Sequence, residues 1–188
     1  MITVGIDEVG RGCWAGPVVA GAVILSEDIE GLTDSKLLSK KQRETLDKDI
    51  RANIAAIGIG WVEPAIVDLI GINKAVGLAM HRALEMISVE YDQIIIDGNI
   101  NYLDTNPKSR AIIKADYSVP SVSAASIIAK VARDHYMAEL SLKYPQYGFE
   151  KHVGYGTALH IEKLKQHGVS DQHRFSYKPV KALLKDDK

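Results

Sequence analysis

Ile2, Val4 and Ile6 alternate along an apolar, strand-like run that closes on two adjacent carboxylates, Asp7 and Glu8, and then on the turn Gly10-Arg11-Gly12. Neighbouring residues of a strand point to opposite faces, so the two acids can converge only if the strand ends or bulges at that point. Gly10 and Gly12 supply the backbone freedom for such a break. Acids beside amides and a guanidinium that seek phosphate make an odd mixture unless a divalent cation lies between acid and phosphate, which is the arrangement metal-assisted phosphodiester chemistry needs.

The remaining strand signals build a sheet around this run. Residues 17–25 and 55–62 are rich in Val and Ile and bounded by Gly or Pro, and the short link from the first strand to the second predicts antiparallel neighbours. Between the second and third, Ser39 and Gln42 spell a capping box for a helix over 40–53. A second helix is predicted from about Asn73, where Val76, Met80, Ala83, Leu84 and Ile87 form one buried stripe. It leads into residues 91–97, whose run Ile94-Ile95-Ile96 suits a strand covered on both faces beside parallel neighbours. A shorter strand is predicted at 111–115. A long helix over 121–142 follows, its first half unusually small (Ser121, Ser123, Ala124, Ala125, Ser126), then a helix at 157–167 and a short terminal one around Pro179. The expected architecture is α/β: a mixed five-stranded sheet flanked by helices, with residues 1–150 as the main domain and 151–188 as a small helical appendage packed on it.

Three predicted strands finish in acids: Asp7-Glu8, Asp97 and Asp116. If the first, fourth and fifth strands lie side by side in one direction, all four carboxylates converge, because ligand sites in open α/β sheets gather where strands end. Unpaired, they would repel one another strongly. Hard oxygen donors favour Mg²⁺ or Mn²⁺ over zinc. Two-metal sites of this kind hold cations roughly 3.5–4 Å apart, and Asp7, in the central strand, is the natural bridging ligand. Any one of these acids alone could cap a helix or open a turn; three strand-end placements together favour a shared site.

Gly10-Arg11-Gly12-Cys13-Trp14-Ala15 also matches a dinucleotide fingerprint, with Glu27, Asp28 and Glu30 at about the required distance. Its context fails, since a strand rather than a helix follows and two carboxylates precede the glycines. No P-loop motif is present. Lys36, in Asp34-Ser35-Lys36, is a candidate phosphate contact. Tyr155 between Gly154 and Gly156 leaves an aromatic face open to stack on a base or sugar. His152, His160 and His167 have no compact metal spacing and are expected on the surface.

A net charge of −1 argues against nucleic-acid binding by bulk charge alone, but the distribution is uneven: residues 1–150 sum to −5 and residues 151–188 to +4, with four of the six histidines. A basic terminal segment could clamp a polyanion beside an acidic body. Cys13 is the only cysteine, which excludes an internal disulfide and a thiolate zinc cluster and makes it a small core hydrophobe. No apolar run approaches the ~20 residues of a membrane span and no signal pattern opens the chain, so a cytoplasmic monomer with no membrane partner is expected.

The motifs together resemble the ribonuclease HII family. The resemblance rests on Gly5-Ile6-Asp7-Glu8-Val9-Gly10-Arg11-Gly12, Gly16-Pro17-Val18-Val19-Ala20, Asp34-Ser35-Lys36, Asp97-Gly98-Asn99 and Lys114-Ala115-Asp116. It continues through the run from Ser123 to Asp134 and Gly154-Tyr155-Gly156-Thr157, all in the expected order. Where Val153 stands, some relatives carry a lysine or similar polar residue. The resemblance implies a ribonuclease H-like fold and cleavage of RNA in RNA·DNA hybrids. It also implies incision at single ribonucleotides in duplex DNA, leaving a 3′-hydroxyl and a 5′-phosphate. It makes Asp7, Glu8, Asp97 and Asp116 the metal-binding and catalytic acids, with Gly10, Arg11, Gly12 and Tyr155 sensing the ribonucleotide beside its deoxy neighbour. Ribonuclease HIII is the near rival; its members usually carry an added N-terminal substrate-binding domain, whereas this chain starts at its first strand. A non-catalytic nucleic-acid-binding module is the other alternative, but no acid is missing. A sliding-clamp partner has no support in residues 178–188, which lack an aromatic-ended peptide motif.

Overall fold

The computed structural model describes residues 1–27, 29–33 and 35–184. Asp28 of the fingerprint, Asp34 of the Asp34-Ser35-Lys36 run and the last four residues of the basic terminal segment lie outside the described residues.

Five strands form one sheet: β1 (Thr3–Val9), β2 (Val18–Leu25), β3 (Ile54–Val62), β4 (Gln93–Asp97) and β5 (Ser109–Ile112). Their order is β3-β2-β1-β4-β5, with β1, β2 and β3 an antiparallel meander and β4 and β5 parallel to β1. This is the mixed sheet expected, with β1 at its centre. Ile94, Ile95 and Ile96 are all buried, as a strand covered on both faces requires.

Among the described residues eight α-helices flank it: α1 (Lys40–Ala52), α2 (Pro64–Ile70), α3 (Ile72–Glu85), α4 (Ala115–Ser118), α5 (Pro120–Lys143), α6 (Phe149–His152), α7 (Ala158–His167) and α8 (Lys178–Leu183). The capping box on α1 is formed: the Ser39 side chain accepts from the Gln42 amide while the Gln42 side chain accepts from the Ser39 amide. The short helices α2 and α6 were not expected; α2 starts on Pro64 at a first-turn position where its missing N–H costs nothing.

The two sheet faces are covered differently. Val4, Ile6, Ala20, Ala22 and Ile96 pack with Val76, Met80 and Ala83 of α3, while Val23 packs with Ala124, Ala125, Ile127 and Ile128 of α5. Each such buried Val or Ile contributes about 1.5–3 kcal/mol. The small residues that open α5 let it lie almost on the strands. A β-carbon on Gly21 would stand 2.6 Å from the Ala125 carbonyl oxygen, and one on Gly5 would collide with the Ser121 backbone. Close contact between α5 and the sheet therefore depends on glycine at those two positions.

β1 corrects the expected strand end. It does not stop or bulge at the acids: Asp7 pairs with Gly21 and Glu8 with Ala20 in unbroken antiparallel register, and the strand ends only before Gly10, at φ +95°. Asp7 and Glu8 therefore face opposite sides, Asp7 with Gly5 toward α5 and Glu8 with Val4 and Ile6 toward α3. Asp116 is likewise not at a strand end. β5 stops at Ile112, Lys114 takes a left-handed conformation at φ 58°, and Asp116 lies in the first turn of α4.

Candidate active site

The β1–β4 pairing runs to Ile6 opposite Ile96, so Asp7 and Asp97 are the next residues on adjoining parallel strands and share the face toward α5. Asp97 then recruits the third acid. Its Oδ1 accepts from the Ala115 amide at 2.8 Å, which ties the start of α4 to the end of β4 and brings Asp116 alongside. Ser123 Oγ of α5 donates to the Asp116 carbonyl at 2.6 Å and holds the same turn from the other end. One carboxylate oxygen from each of Asp7, Asp97 and Asp116 lies within 4.8 Å of the other two.

Glu8 approaches from the opposite face of the strand, yet close enough to feel Asp97. Burial raises its carboxyl above the usual range, Arg11 opposes the rise, and Asp97 adds to it. Asp7 is held well above the usual range by burial, with Glu8 and Asp97 adding repulsion, against hydrogen bonds from Ser126 and the Glu8 amide, the latter at 2.7 Å. Ser126 Oγ lies 2.8 Å from Ser35 Oγ, so a buried hydroxyl pair links the turn at Ser35–Leu37 to Asp7. Lys36 is exposed on that turn. Three carboxylates drawn together in a largely buried place are a donor set that a hard divalent cation fits and that water alone serves poorly.

Beside the acids, the Gly10-Arg11-Gly12 turn meets Tyr155: a β-carbon on Gly12 would lie 4.0 Å from Tyr155 Cε1. Hydrogen bonds from the Trp14 and Ala15 amides to the Gly154 carbonyl, at 2.8 and 3.3 Å, join the two loops. Tyr155 keeps 39% of its surface exposed, so an aromatic face is open beside the turn. Its phenol is pushed up to about 12, mainly by burial and then by the neighbouring Cys13. Cys13 is itself buried, as expected of a small core residue. The Arg11 guanidinium turns toward α3, donating to Tyr102 Oη at 2.8 Å and Asn73 Oδ1 at 3.0 Å, with Glu8 Oε1 at 3.4 Å.

Two expectations fail here for one reason. His152 and His160 are not surface residues: with His173 they are buried in an aromatic cluster with Tyr147 and Phe149. His160 Nε2 is 3.0 Å from His173 Nε2, and its Nδ1 is 2.9 Å from the Tyr155 carbonyl. Burial lowers both His160 and His173 to about 4, so these rings are neutral packing groups. Only His167 of the three named is exposed. Arg174, counted in the basic terminal segment, is fully buried and unavailable to phosphate. Both failures come from reading polarity as exposure. Ser126, Ser35, Tyr102, Asn73 and Arg174 were also missed, since their partners are distant in the chain and no local spacing marks them.

A family model for ribonuclease HII matches residues 4–180. A curated ribonuclease HII of Bacillus thuringiensis (strain Al Hakam) is 50% identical over 182 residues, covering 96% of this chain and 70% of the relative. Among solved structures, the ribonuclease H2 of Pyrococcus horikoshii OT3 superposes with a TM-score of 0.84 at 27% identity, covering 99% of this chain and 98% of that one. The ribonuclease HII in a PCNA complex from Archaeoglobus fulgidus superposes with a TM-score of 0.78 at 28% identity, over 95% and 96% of the two chains.

Proposed function

The chain belongs to the ribonuclease HII family, and from that premise we propose that Asp7, Glu8, Asp97 and Asp116 are its metal-binding and catalytic acids. The enzyme is a ribonuclease H, an endonuclease that hydrolyses the RNA of RNA·DNA hybrids, in a family that uses divalent metal ions. The observation that carries the site assignment is the meeting of the Asp7, Asp97 and Asp116 carboxylate oxygens within 4.8 Å. Mg²⁺ or Mn²⁺ suits this all-oxygen set. When bound, such an ion activates water and stabilises the leaving oxygen. The chain's own work is to hold the donors still. β1 and β4 set two of them by strand register, the Asp97–Ala115 hydrogen bond sets the third, and Ser126 orients Asp7.

The finer specificity follows from the neighbouring loops. The 2′-hydroxyl alone marks one ribonucleotide in DNA, and main-chain amides come close to it most easily through glycine. Gly10, Arg11 and Gly12 present such amides, and the exposed face of Tyr155 stacks on the following sugar, which favours deoxyribose there. This reading extends the activity to single ribonucleotides in duplex DNA, with 3′-hydroxyl and 5′-phosphate products. Lys36, on the turn joined to Asp7 through Ser35 and Ser126, meets a nearby phosphate. Residues 1–150 form the catalytic domain and 151–188 a helical segment; the apolar cluster in which Ala15 and Met137 meet Leu164 supports the packing of the second on the first. Among the described residues no helix is long and apolar enough to cross a membrane, and the lone buried cysteine suits the cytoplasm.

The test is a duplex with one internal ribonucleotide, incubated with the enzyme with and without Mg²⁺ or Mn²⁺. Metal-dependent incision on the 5′ side of the ribonucleotide, leaving a 3′-hydroxyl, is expected. Incision independent of added metal after exhaustive chelation would sink the acid assignment.

A further inference from the structure

Arg133 of α5 and Arg174, between α7 and α8, are both fully buried. Among the described residues neither guanidinium has a carboxylate partner; each of their nitrogens donates to a main-chain carbonyl, of the loop that carries the glycines or, for one nitrogen of Arg133, of Val153. Arg133 Nε donates to the Pro17 oxygen at 2.9 Å, and its two terminal nitrogens donate to Ala15 at 3.0 Å and Val153 at 2.8 Å. Arg174 Nε and Nη2 donate to the Gly16 oxygen at 3.1 and 2.8 Å, and Nη1 donates to the Gly10 oxygen at 2.7 Å and the Arg11 oxygen at 3.2 Å. Tyr177 completes the group, its hydroxyl donating to the same Arg11 oxygen and accepting from Arg174 Nη1. An ionised group buried without a counter-charge is expensive unless hydrogen bonds saturate it. Here every guanidinium nitrogen has an acceptor, and all of the loop's contribution is made through its backbone.

Peptide geometry gives these bonds a consequence on the loop's other side. Among the described residues no cis peptide bond occurs, and in a trans unit the carbonyl of one residue and the amide of the next point in opposite directions. Drawing the Gly10 and Arg11 oxygens onto Arg174 therefore turns the Arg11 and Gly12 N–H groups away from it. Arg133 acts in the same way on the second loop. Val153, whose oxygen it holds, takes the left-handed conformation at φ 45° and is followed by Gly154 at φ 86°, directly before Tyr155.

We infer that Arg174 and Tyr177 are positioning residues for ribonucleotide recognition: they aim the Arg11 and Gly12 amides, while Arg133 sets the distance from that turn to Tyr155. This rests on the assignment of Gly10, Arg11, Gly12 and Tyr155 as the sensor. It makes residues 174–177, some 160 positions from the turn, part of the recognition apparatus.

The test uses the full chain with Tyr177→Phe, Arg174→Lys, Gly12→Ala and Tyr155→Ala. For each, kcat and KM are measured on a single-ribonucleotide duplex and on a continuous hybrid, with the melting temperature alongside. Tyr177→Phe is the decisive variant, since it removes one hydroxyl and keeps the buried charge. Its kcat/KM on the single-ribonucleotide duplex should fall about tenfold relative to the hybrid, with most of the change in KM. Hydrogen exchange at the Arg11 and Gly12 amides should quicken. A purely structural role would lower the melting temperature and leave the substrate ratio unchanged. An unchanged ratio in folded Tyr177→Phe and Arg174→Lys, alongside a reduced one in Gly12→Ala and Tyr155→Ala, overturns the positioning role alone; an unchanged ratio in all four overturns the sensor assignment itself. If Arg174→Lys does not fold, Tyr177→Phe decides.

Discussion

The carboxylate cluster and the adjoining loop of residues 10–17 are neighbours with opposite electrostatic economies. Asp7, Asp97 and Asp116 are placed by regular pairing of adjacent strands and one helix start, and they repel one another. The loop is placed by two buried cations from distant parts of the chain, and both of those charges are met by carbonyl dipoles. The first region is complete only when a ligand brings positive charge. The second is already satisfied by the protein. Removing a charge should therefore cost activity but not stability in the first region, and stability or selectivity in the second.

The largest expected effect breaks this contrast if it fails. Asp7→Asn should reduce kcat/KM on the single-ribonucleotide duplex by about 10³, roughly 4 kcal/mol of barrier. Its melting temperature without metal should be equal to or above that of the wild type, because a buried repelling charge is gone. Retention of more than about a tenth of the activity (a loss below ~1.4 kcal/mol), or a clear loss of stability, would remove Asp7 from the centre of the site.

The second test addresses the satisfied region by pH. His160 and His173 fall from an ordinary 6.5 to about 4 in the folded protein. The unfolded chain therefore binds protons first on acidification, so their neutral packing is fully favourable above about pH 6.5 and is lost as pH falls toward 4. By pH 5 the cost is about 2 kcal/mol per group. Chemical denaturation at pH 7 and pH 5 measures it. Replacing His160 by Gln should flatten the dependence, and an unaltered slope would mean that other groups carry it.

Tyr155 sharpens the contrast further, since it belongs to the loop region but faces outward. Tyr155→Ala should cost about 1–3 kcal/mol on the single-ribonucleotide duplex, the scale of one stacking contact, and Tyr155→Phe much less. Equal losses in kcat/KM would shift the role to the phenolic oxygen.

The smallest effect concerns the basic terminal segment. Deleting residues 158–188 is not a clean test, because it removes the buried His160, Leu164 and Arg174. The exposed Lys151 and Lys165 are the better targets. Changing both to Gln should reduce the slope of log K against log salt for hybrid binding by up to about 2. A slope unmoved by the double change would show that these lysines do not touch phosphate.

Local patterns carried much of this structure. The Ser39–Gln42 capping box, the stripe on α3, the small-residue face of α5 and the triple isoleucine of β4 were legible because each is written within one or two turns or one strand. So was the antiparallel pairing of β1 with β2, from their short link, whereas the placement of β4 and β5 beside β1 was only the condition under which the acids would converge. Glu8 and Asp116 were read as acids at strand ends and so were misplaced. Glu8 lies on the far face of a strand that continues past it, and Asp116 lies in a helix that Asp97 anchors. Nothing within a few residues of either says so.

By itself the chain's sequence determined which residues alternate, which cap, where a helix is small enough to lie close to a strand, and which acids are available. Those properties depend on backbone sterics and on neighbours one to four residues away. Only the tertiary structure decided which face Asp7 takes, that His152, His160 and His173 are buried and neutral, and that Arg174 serves the loop rather than a phosphate. Each of these is a question of solvation and pairing, set by whatever distant segment covers the group. For Arg174 those segments are 158 to 164 residues away in the chain.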